Sequence, residues 1–334
     1  MPELIRIKNL SKAFPVRGDW FKPWRSKKQQ LKQGVHALNG IDISLQQGET
    51  LCIVGETGCG KSTLARVLVG LETPDQGEVW YGGEEISRLN DRQRMKFRKR
   101  MQMVFQNPYA SLNPRMTVYQ ILQEAVALHH PELNHEGQDQ HIRQQLESVG
   151  LDQTAEDRFP HEFSGGQRQR ISLARALSVG PELIIADEPL AALDVSVQAQ
   201  VLNLMMDKQA EHNLTYLFIT HDLSVVEHFA SRVAVMYLGR ICEIADRATL
   251  FSAPKHPYTQ ALLASMPRLD NLDETPIPLQ GEVPTVYEDI EGCSFCRRCP
   301  HATQRCFEQI PVALNLEDGS QVACHAIEEG RVWK

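Results

Sequence analysis

No apolar run in the 334 residues approaches the roughly 18 to 20 needed to cross a bilayer as a helix. The N-terminus, MPELIRIKNL, also lacks the apolar core of a signal peptide, so the chain is expected to stay in the cytosol. Basic charge is not in excess: 35 Lys and Arg stand against 42 Asp and Glu, and the net charge of −7 gives no support for a general nucleic-acid binder. Global disorder is excluded by 42% hydrophobic and 23% charged residues, an ordinary globular balance. No internal repeat is visible. What the chain does have is length enough for two domains and an unusual crowd of thiols near its end. Cys293, Cys296, Cys299, Cys306 and Cys324 would sit in a reducing compartment. There disulfides are disfavoured, and clustered cysteines read better as metal ligands.

Periodicity organises the rest. LIRIKNLSKAF alternates as a strand. Residues 17–36 break that pattern with Gly, Pro, two Trp and basic charge, as a long exposed hairpin loop or an aromatic-basic patch for lipid headgroups or a partner would. Residues 91–104 are basic and read as a helix with a solvated face, and residues 115–157 as helical and polar. Apolar runs return at ELIIAD and TYLFITH, with the helical stretch SVQAQVLNLMMDKQAEH between them. That strand–helix–strand alternation predicts an α/β fold with a parallel sheet covered by helices. RVAVMYLGRICEIA reads as a hairpin turning at Leu238-Gly239, and after about Pro254 regular periodicity fades.

LCIVGETGCGKSTLARVLVGL passes from an apolar run through a glycine-rich turn into helical spacing. Gly55, Glu56, Thr57, Gly58, Cys59, Gly60, Lys61 and Ser62 make a complete G-x-x-x-x-G-K-[ST] phosphate loop in its required strand–turn–helix setting. The glycines let backbone N–H groups curl around phosphate oxygens, and the helix start adds partial positive charge. Lys61 is expected to reach the β- and γ-phosphates of ATP, Ser62 to ligate Mg²⁺, and Thr63 to add a donor at the helix start. Cys59 needs only to be small, although a thiol beside phosphates could be reactive. LIIADE then delivers Asp187 and Glu188 at the carboxyl edge of a buried strand. Asp187 is placed to hold Mg²⁺ through water, and Glu188 to polarise an attacking water.

FSGGQRQRISLARAL opens a second helix with Ser164, Gly165, Gly166 and Gln167, another anion-binding start in a chain that already has its phosphate loop. With these motifs in this order, residues 3–254 resemble the ATP-binding cassette family. The resemblance implies a P-loop NTPase fold with a RecA-like parallel sheet core, an antiparallel β subdomain and a helical subdomain at about 107–165. It further implies that Phe14 stacks on adenine, that Gln106 senses Mg²⁺ and water, that Asp194 closes a dimer loop and that His221 contacts the γ-phosphate. Ser164 to Gln167 would then read the ATP of a second subunit packed head to tail. Phe163, and Leu190 before Ala191, depart from the family pattern without removing a catalytic group.

FQNPYASLNPRMTVYQIL and HPYTQALLASMPRL resemble the ATP-binding subunits of bacterial dipeptide and oligopeptide importers, most of all the second ATPase of a heterodimeric pair. The resemblance implies an ATPase domain over 1–254 and a C-terminal extension over 255–334. It also implies a related ATPase, two membrane subunits and an extracytoplasmic binding protein as partners, no nucleic acid, and a place on the cytoplasmic face of the inner membrane. Coupling helices would dock near Gln106 and residues 107–125. Other importer cargoes (nickel, opines, glutathione, antimicrobial peptides) stay open. So does a soluble role in DNA repair, translation or redox sensing, although neither coiled-coil insertions nor a second cassette is present.

The thiols Cys293, Cys299, Cys306 and Cys324 are spaced C-x₅-C-x₆-C-x₁₇-C. By softness they suit zinc or an iron–sulfur cluster equally. The close spacing typical of zinc ribbons occurs only around Cys296, with Cys299 and Cys293 each three positions away, while Cys306 and Cys324 lie far apart. The importer resemblance points to a [4Fe–4S] cluster on the four, with Cys296 as an extra, so that the small irregular extension would be metal-bound.

Overall fold

The computed structural model describes residues 2–15, 34–266 and 291–331. Most of the basic, Trp-containing segment read over 17–36 lies outside them. The described residues form two compact units, one drawn from residues 2, 46–50 and 89–219, the other from residues 3–15, 34–45, 51–88, 220–266 and 291–331.

Among the described residues twelve strands are numbered in chain order: β1 (Glu3–Phe14), β2 (Val35–Gln46), β3 (Thr50–Val54), β4 (Gln76–Tyr81), β5 (Glu84–Glu85), β6 (Met101–Val104), β7 (Leu183–Asp187), β8 (Thr215–Ile219), β9 (Arg232–Tyr237), β10 (Arg240–Asp246), β11 (Leu314–Asn315) and β12 (Gln321–Val322). In the second unit a four-stranded sheet runs in the order β2-β1-β4-β5, with β1·β4 and β4·β5 antiparallel. Beside it, β3 pairs parallel with β9, and β9·β10, β10·β12 and β12·β11 are antiparallel. In the first unit β6, β7 and β8 pair in parallel. The architecture is therefore α/β with mixed sheets, as the alternation of strands and helices requires.

The parallel strands are apolar through most of their length, as strands buried on both faces are. Leu183, Ile184, Ile185 and Ala186 are wholly buried, as are Leu51, Cys52 and Ile53. The hairpin forms where the sequence places it, with Leu238 and Gly239 both at positive φ (43° and 76°), the pattern of a two-residue turn matched to strand twist. The stretch 91–104 is corrected in part. Its helix covers Asp91–Arg100, capped by the Asn90/Gln93 box, and Met101–Val104 is strand β6 because its apolar residues pair with β7. The polar stretch that follows forms helices Val118–His129 and His135–Ser148.

The C-terminal residues carry more regular structure than their sequence suggests. Pro257–Ala264 is a helix with proline in its first turn. It is pinned to β10 by Glu243, which is wholly buried and accepts the backbone N–H groups of Lys255 and His256 at 2.9 Å each. β12 extends the sheet from β10, Glu243 facing Val322 in register.

Candidate active site

Strand β3 is buried along its length and delivers the phosphate loop at its carboxyl end. Gly55 is obligatory there: φ is 154°, and a Cβ would lie 2.1 Å from the Met236 carbonyl oxygen on the neighbouring strand. Gly60, in left-handed conformation, starts helix Lys61–Leu68. The Lys61 ammonium is 4% exposed and donates to the carbonyls of Gly55 (2.7 Å) and Glu56 (3.1 Å), so it already lies over the hollow of the loop. Thr57 and Gly58 are exposed, and Ser62 and Thr63 occupy the first helical turn, half-buried. Cys59 is 2% exposed, and burial pushes its thiol up despite the nearby Lys61 charge, which makes it a packing residue rather than a reactive thiolate. Phe14 ends β1 half-buried, with the Lys12 ammonium 5.2 Å from its ring centre. His221 follows β8 on an exposed turn, next to Asp222, which caps helix Leu223–Phe229 by accepting from the Ser224 N–H at 2.9 Å.

In the other unit β7 ends at Asp187, 5% exposed, and the next residue, Glu188, takes a left-handed φ of 46°. A non-glycine residue in that region costs on the order of 1–3 kcal/mol and is found where a side chain must be aimed. The Glu188 N–H is fixed on the Ile219 carbonyl at 2.9 Å, and Gln106 Nε2 donates to its carboxylate at 3.0 Å. The structure thus brings together two residues 82 positions apart that sequence reasoning named separately.

Ser164 and Gln167 form a reciprocal capping box on helix Gly165–Leu177: the Gln167 N–H donates to Ser164 Oγ at 3.3 Å, and the Ser164 N–H to Gln167 Oε1 at 3.0 Å. Both side chains are exposed, so the helix start is preformed and open. Gly166 is buried, and a Cβ there would lie 2.2 Å from Val197 Cγ1 of helix Val195–His212. Asp194 precedes that helix on an exposed turn, which Gln198 holds by donating to the carbonyls of Leu190 and Leu193 at 3.0 Å each. Gln198 was not named from sequence; nothing local distinguishes it from its helix neighbours. Near the expected docking groove, the exposed Tyr109 ring lies 3.7 Å from the buried Arg168 guanidinium.

The metal-bound reading of the tail gains no support from the structure. Among the described residues no group of three or more His, Cys, Asp or Glu side chains is arranged to hold a metal ion. Cys293, Cys299, Cys306 and Cys324, with Cys296, are brought into one knuckle in which Cys293 N–H donates to the Cys306 carbonyl at 2.8 Å. As placed, these residues do not form such a group for a [4Fe–4S] or zinc site. The knuckle is attached to the phosphate loop by contacts of another kind. Arg298, between Cys296 and Cys299, forks onto both carboxylate oxygens of Glu56 at 2.7 and 3.0 Å and donates to Tyr237 Oη at 3.1 Å. Tyr258 Oη accepts the Glu56 N–H at 3.0 Å. No sequence signal joins residues 242 positions apart, and these contacts were missed.

The family profile described as ABC transporter matches residues 38–191, and the one described as oligopeptide/dipeptide transporter, C-terminal region, matches residues 242–306. The oligopeptide transport ATP-binding protein AppF of Bacillus subtilis is 47% identical over 96% of this chain and 97% of its own length. The dipeptide transport ATP-binding protein DppF of Haemophilus influenzae is 47% identical over 97% of each, and DppF of Escherichia coli 46% identical over 98% of this chain and 95% of its own. Among solved structures, cbiO1 of Clostridium perfringens, part of the ABC transporter complex cbiONQ, superposes with a TM-score of 0.64 at 26% identity, over 76% of this chain and 92% of that one. The ATP-binding cassette MJ0796, in a dimeric post-hydrolysis state with ADP and Pi, gives 0.63 at 25%, over 73% and 99%. Among the described residues no helix is long and apolar enough to cross a membrane. With a P-loop NTPase fold, the cassette motifs and this degree of identity, the chain belongs to the ABC transporter ATPases, in the group of dipeptide and oligopeptide transport ATP-binding proteins that power peptide import.

Proposed function

We propose that the chain is one of two related ATPases that pair head to tail on the cytoplasmic face of the inner membrane. There they would drive two membrane subunits fed by an extracytoplasmic binding protein, with di- or oligopeptides as cargo. The observation that carries this reading is the Gln106–Glu188 hydrogen bond at 3.0 Å, with Glu188 held at left-handed φ. A carboxylate aimed by its backbone and steadied by an amide is suited to accept a proton from water attacking the γ-phosphate. Lys61 and the loop N–H groups grip the phosphates, Phe14 stacks on adenine and His221 contacts the γ-phosphate. Ser164 to Gln167, preformed by their capping box, meet the ATP of the paired subunit, and Asp194 lies in the contact between them. Mg²⁺ bound with the nucleotide supplies charge neutralisation at the phosphates. Ser62, Gln106 and Asp187 offer the oxygen donors it prefers. Residues 1–254 then form the ATPase domain and 255–334 the extension. A [4Fe–4S] cluster has no part in this proposal.

Chemistry at such a site is mostly positioning and charge stabilisation, so closure of the two subunits completes it and loss of the γ-phosphate reopens it. Glu188→Gln preserves shape and removes the base. Turnover should fall by about 10²- to 10⁴-fold while ATP is still bound and the closed pair accumulates. Phosphate release and gel filtration with ATP measure both, and near wild-type turnover would remove Glu188 from the role.

A further inference from the structure

A loop built to bind a polyanion carries a carboxylate at its second position, Glu56. Left alone, that charge would oppose the phosphates it sits beside, because like charges in a partly desolvated site repel strongly. The structure shows where the charge goes. The Arg298 guanidinium, 5% exposed, covers both oxygens of the Glu56 carboxylate in a bidentate fork. This is the geometry that gives the strongest charge-assisted pairing. The Glu56 backbone is held as well, its N–H bonded to Tyr258 Oη at 3.0 Å.

The position of Arg298 is itself fixed by the tail. It ends the short turn Cys296–Arg298, next to Phe295, which is 2% exposed. The Phe295 ring packs on Tyr237 (5.4 Å, edge-on) and Tyr258 (5.3 Å), the same two tyrosines that contact Arg298 and Glu56. The cysteine knuckle, the aromatic platform and the phosphate loop are therefore one connected structure within a single unit.

We propose that Arg298 is a positioning residue of the nucleotide site: it neutralises Glu56 and holds it aside so that the loop accepts phosphates, and the folded cysteine tail thereby sets the affinity for ATP. This rests on Gly55 to Ser62 being the phosphate loop. The tail is a control point, since anything that loosens the knuckle withdraws the arginine and leaves the Glu56 carboxylate without its counter-charge beside the phosphate loop.

The test uses the full chain and ATP binding by isothermal titration calorimetry, with turnover alongside. Arg298→Gln should weaken ATP binding roughly tenfold and raise KM in parallel, while kcat at saturation shifts by about twofold or less. Arg298→Lys keeps the charge but loses the fork, and should give a smaller loss of roughly threefold. The deciding variant is the pair Arg298→Gln with Glu56→Gln. If the arginine acts by neutralising the carboxylate, removing both charges should restore most of the affinity. If it is only a staple for the tail, the double variant should bind as poorly as Arg298→Gln alone, and that result would overturn the proposal. Unchanged affinity in both Arg298→Gln and Arg298→Lys would overturn it as well. Thermal melts identify a variant that fails to fold, in which case Arg298→Lys and the double variant carry the test. Lys61→Ala separates the underlying reading: it should abolish ATP binding, and retained binding there would refute the phosphate-loop assignment itself.

Discussion

Gly165 and Gly166 stand side by side in the motif proposed to meet a paired subunit, yet their surroundings differ. At Gly165 an added Cβ would come 3.3 Å from Leu193 Cδ2, the far end of a flexible side chain that can turn away. At Gly166 it would lie 2.2 Å from Val197 Cγ1, about 1.5 Å inside the usual carbon–carbon separation. Valine in a helix is nearly locked in one rotamer, so relief must come from an off-rotamer side chain or from separation of helices Gly165–Leu177 and Val195–His212. Gly→Ala inside a helix gains about 1 kcal/mol of intrinsic propensity. Overpacking a tight contact costs about 1–3 kcal/mol, and an off-rotamer χ about 0.5–1.5 more. Gly166→Ala should therefore destabilise by about 0.5–3.5 kcal/mol net, and Gly165→Ala should be neutral or slightly stabilising. On the scale of a 150–250-residue domain, a 2 kcal/mol loss lowers Tm by about 4 to 8 °C. Urea titration and thermal melts of the two variants, side by side, measure the difference. Val197→Ala added to Gly166→Ala opens the space and should recover much of the loss through a favourable coupling. If Gly166→Ala is as stable as Gly165→Ala, or if Val197→Ala does not relieve it, the packing argument fails and Gly166 is kept small only for the ligand.

Gly165→Asp should leave ATP binding to the isolated chain near wild type while blocking ATP-driven pairing, since a carboxylate would face the paired subunit's phosphates. Loss of binding in the isolated variant would show that Ser164 to Gln167 serve their own chain's site. His256 gives a pH signature. Complete burial lowers its ring to about 3, so the native state stays neutral while the unfolded state takes up a proton below about 6.5. Between those values the unfolded chain binds more protons, so this contribution is full above about 6.5 and is lost as pH falls, by about 1.4 kcal/mol per pH unit. His256→Asn retains an acceptor for the Tyr258 N–H and should flatten the stability profile between pH 6.5 and 4.5 by up to about 2.7 kcal/mol. Glu243, whose carboxyl burial pushes up, acts with opposite sign but is present in both proteins and cancels in the comparison. Equal acid slopes in urea titrations would refute the assignment.

Sequence alone determined the features whose physics is local. A phosphate loop needs glycines, a lysine and a hydroxyl at fixed spacing, and all lie within eight residues. A strand buried on both faces is apolar over most of its length, so LIIAD announced β7 and the carboxylates that begin at its end. The Leu238-Gly239 turn was equally visible, because a tight hairpin needs residues that tolerate positive φ. Tertiary structure decided what depends on partners distant in the chain. Met101–Val104 is a strand because β7 lies beside it, whatever the helical spacing before it suggests. The Ser164 to Gln167 stretch was legible as a helix start, but Val197's claim on Gly166 was not. The thiol spacing suggested a metal site that the folded side chains do not form. The same fold seats Arg298 on Glu56, because an aromatic platform of Tyr237, Tyr258 and Phe295 brings the knuckle to the loop. Spacing records which groups are close along the chain, whereas charge pairing and steric exclusion act through space, and only the packed structure shows which groups meet.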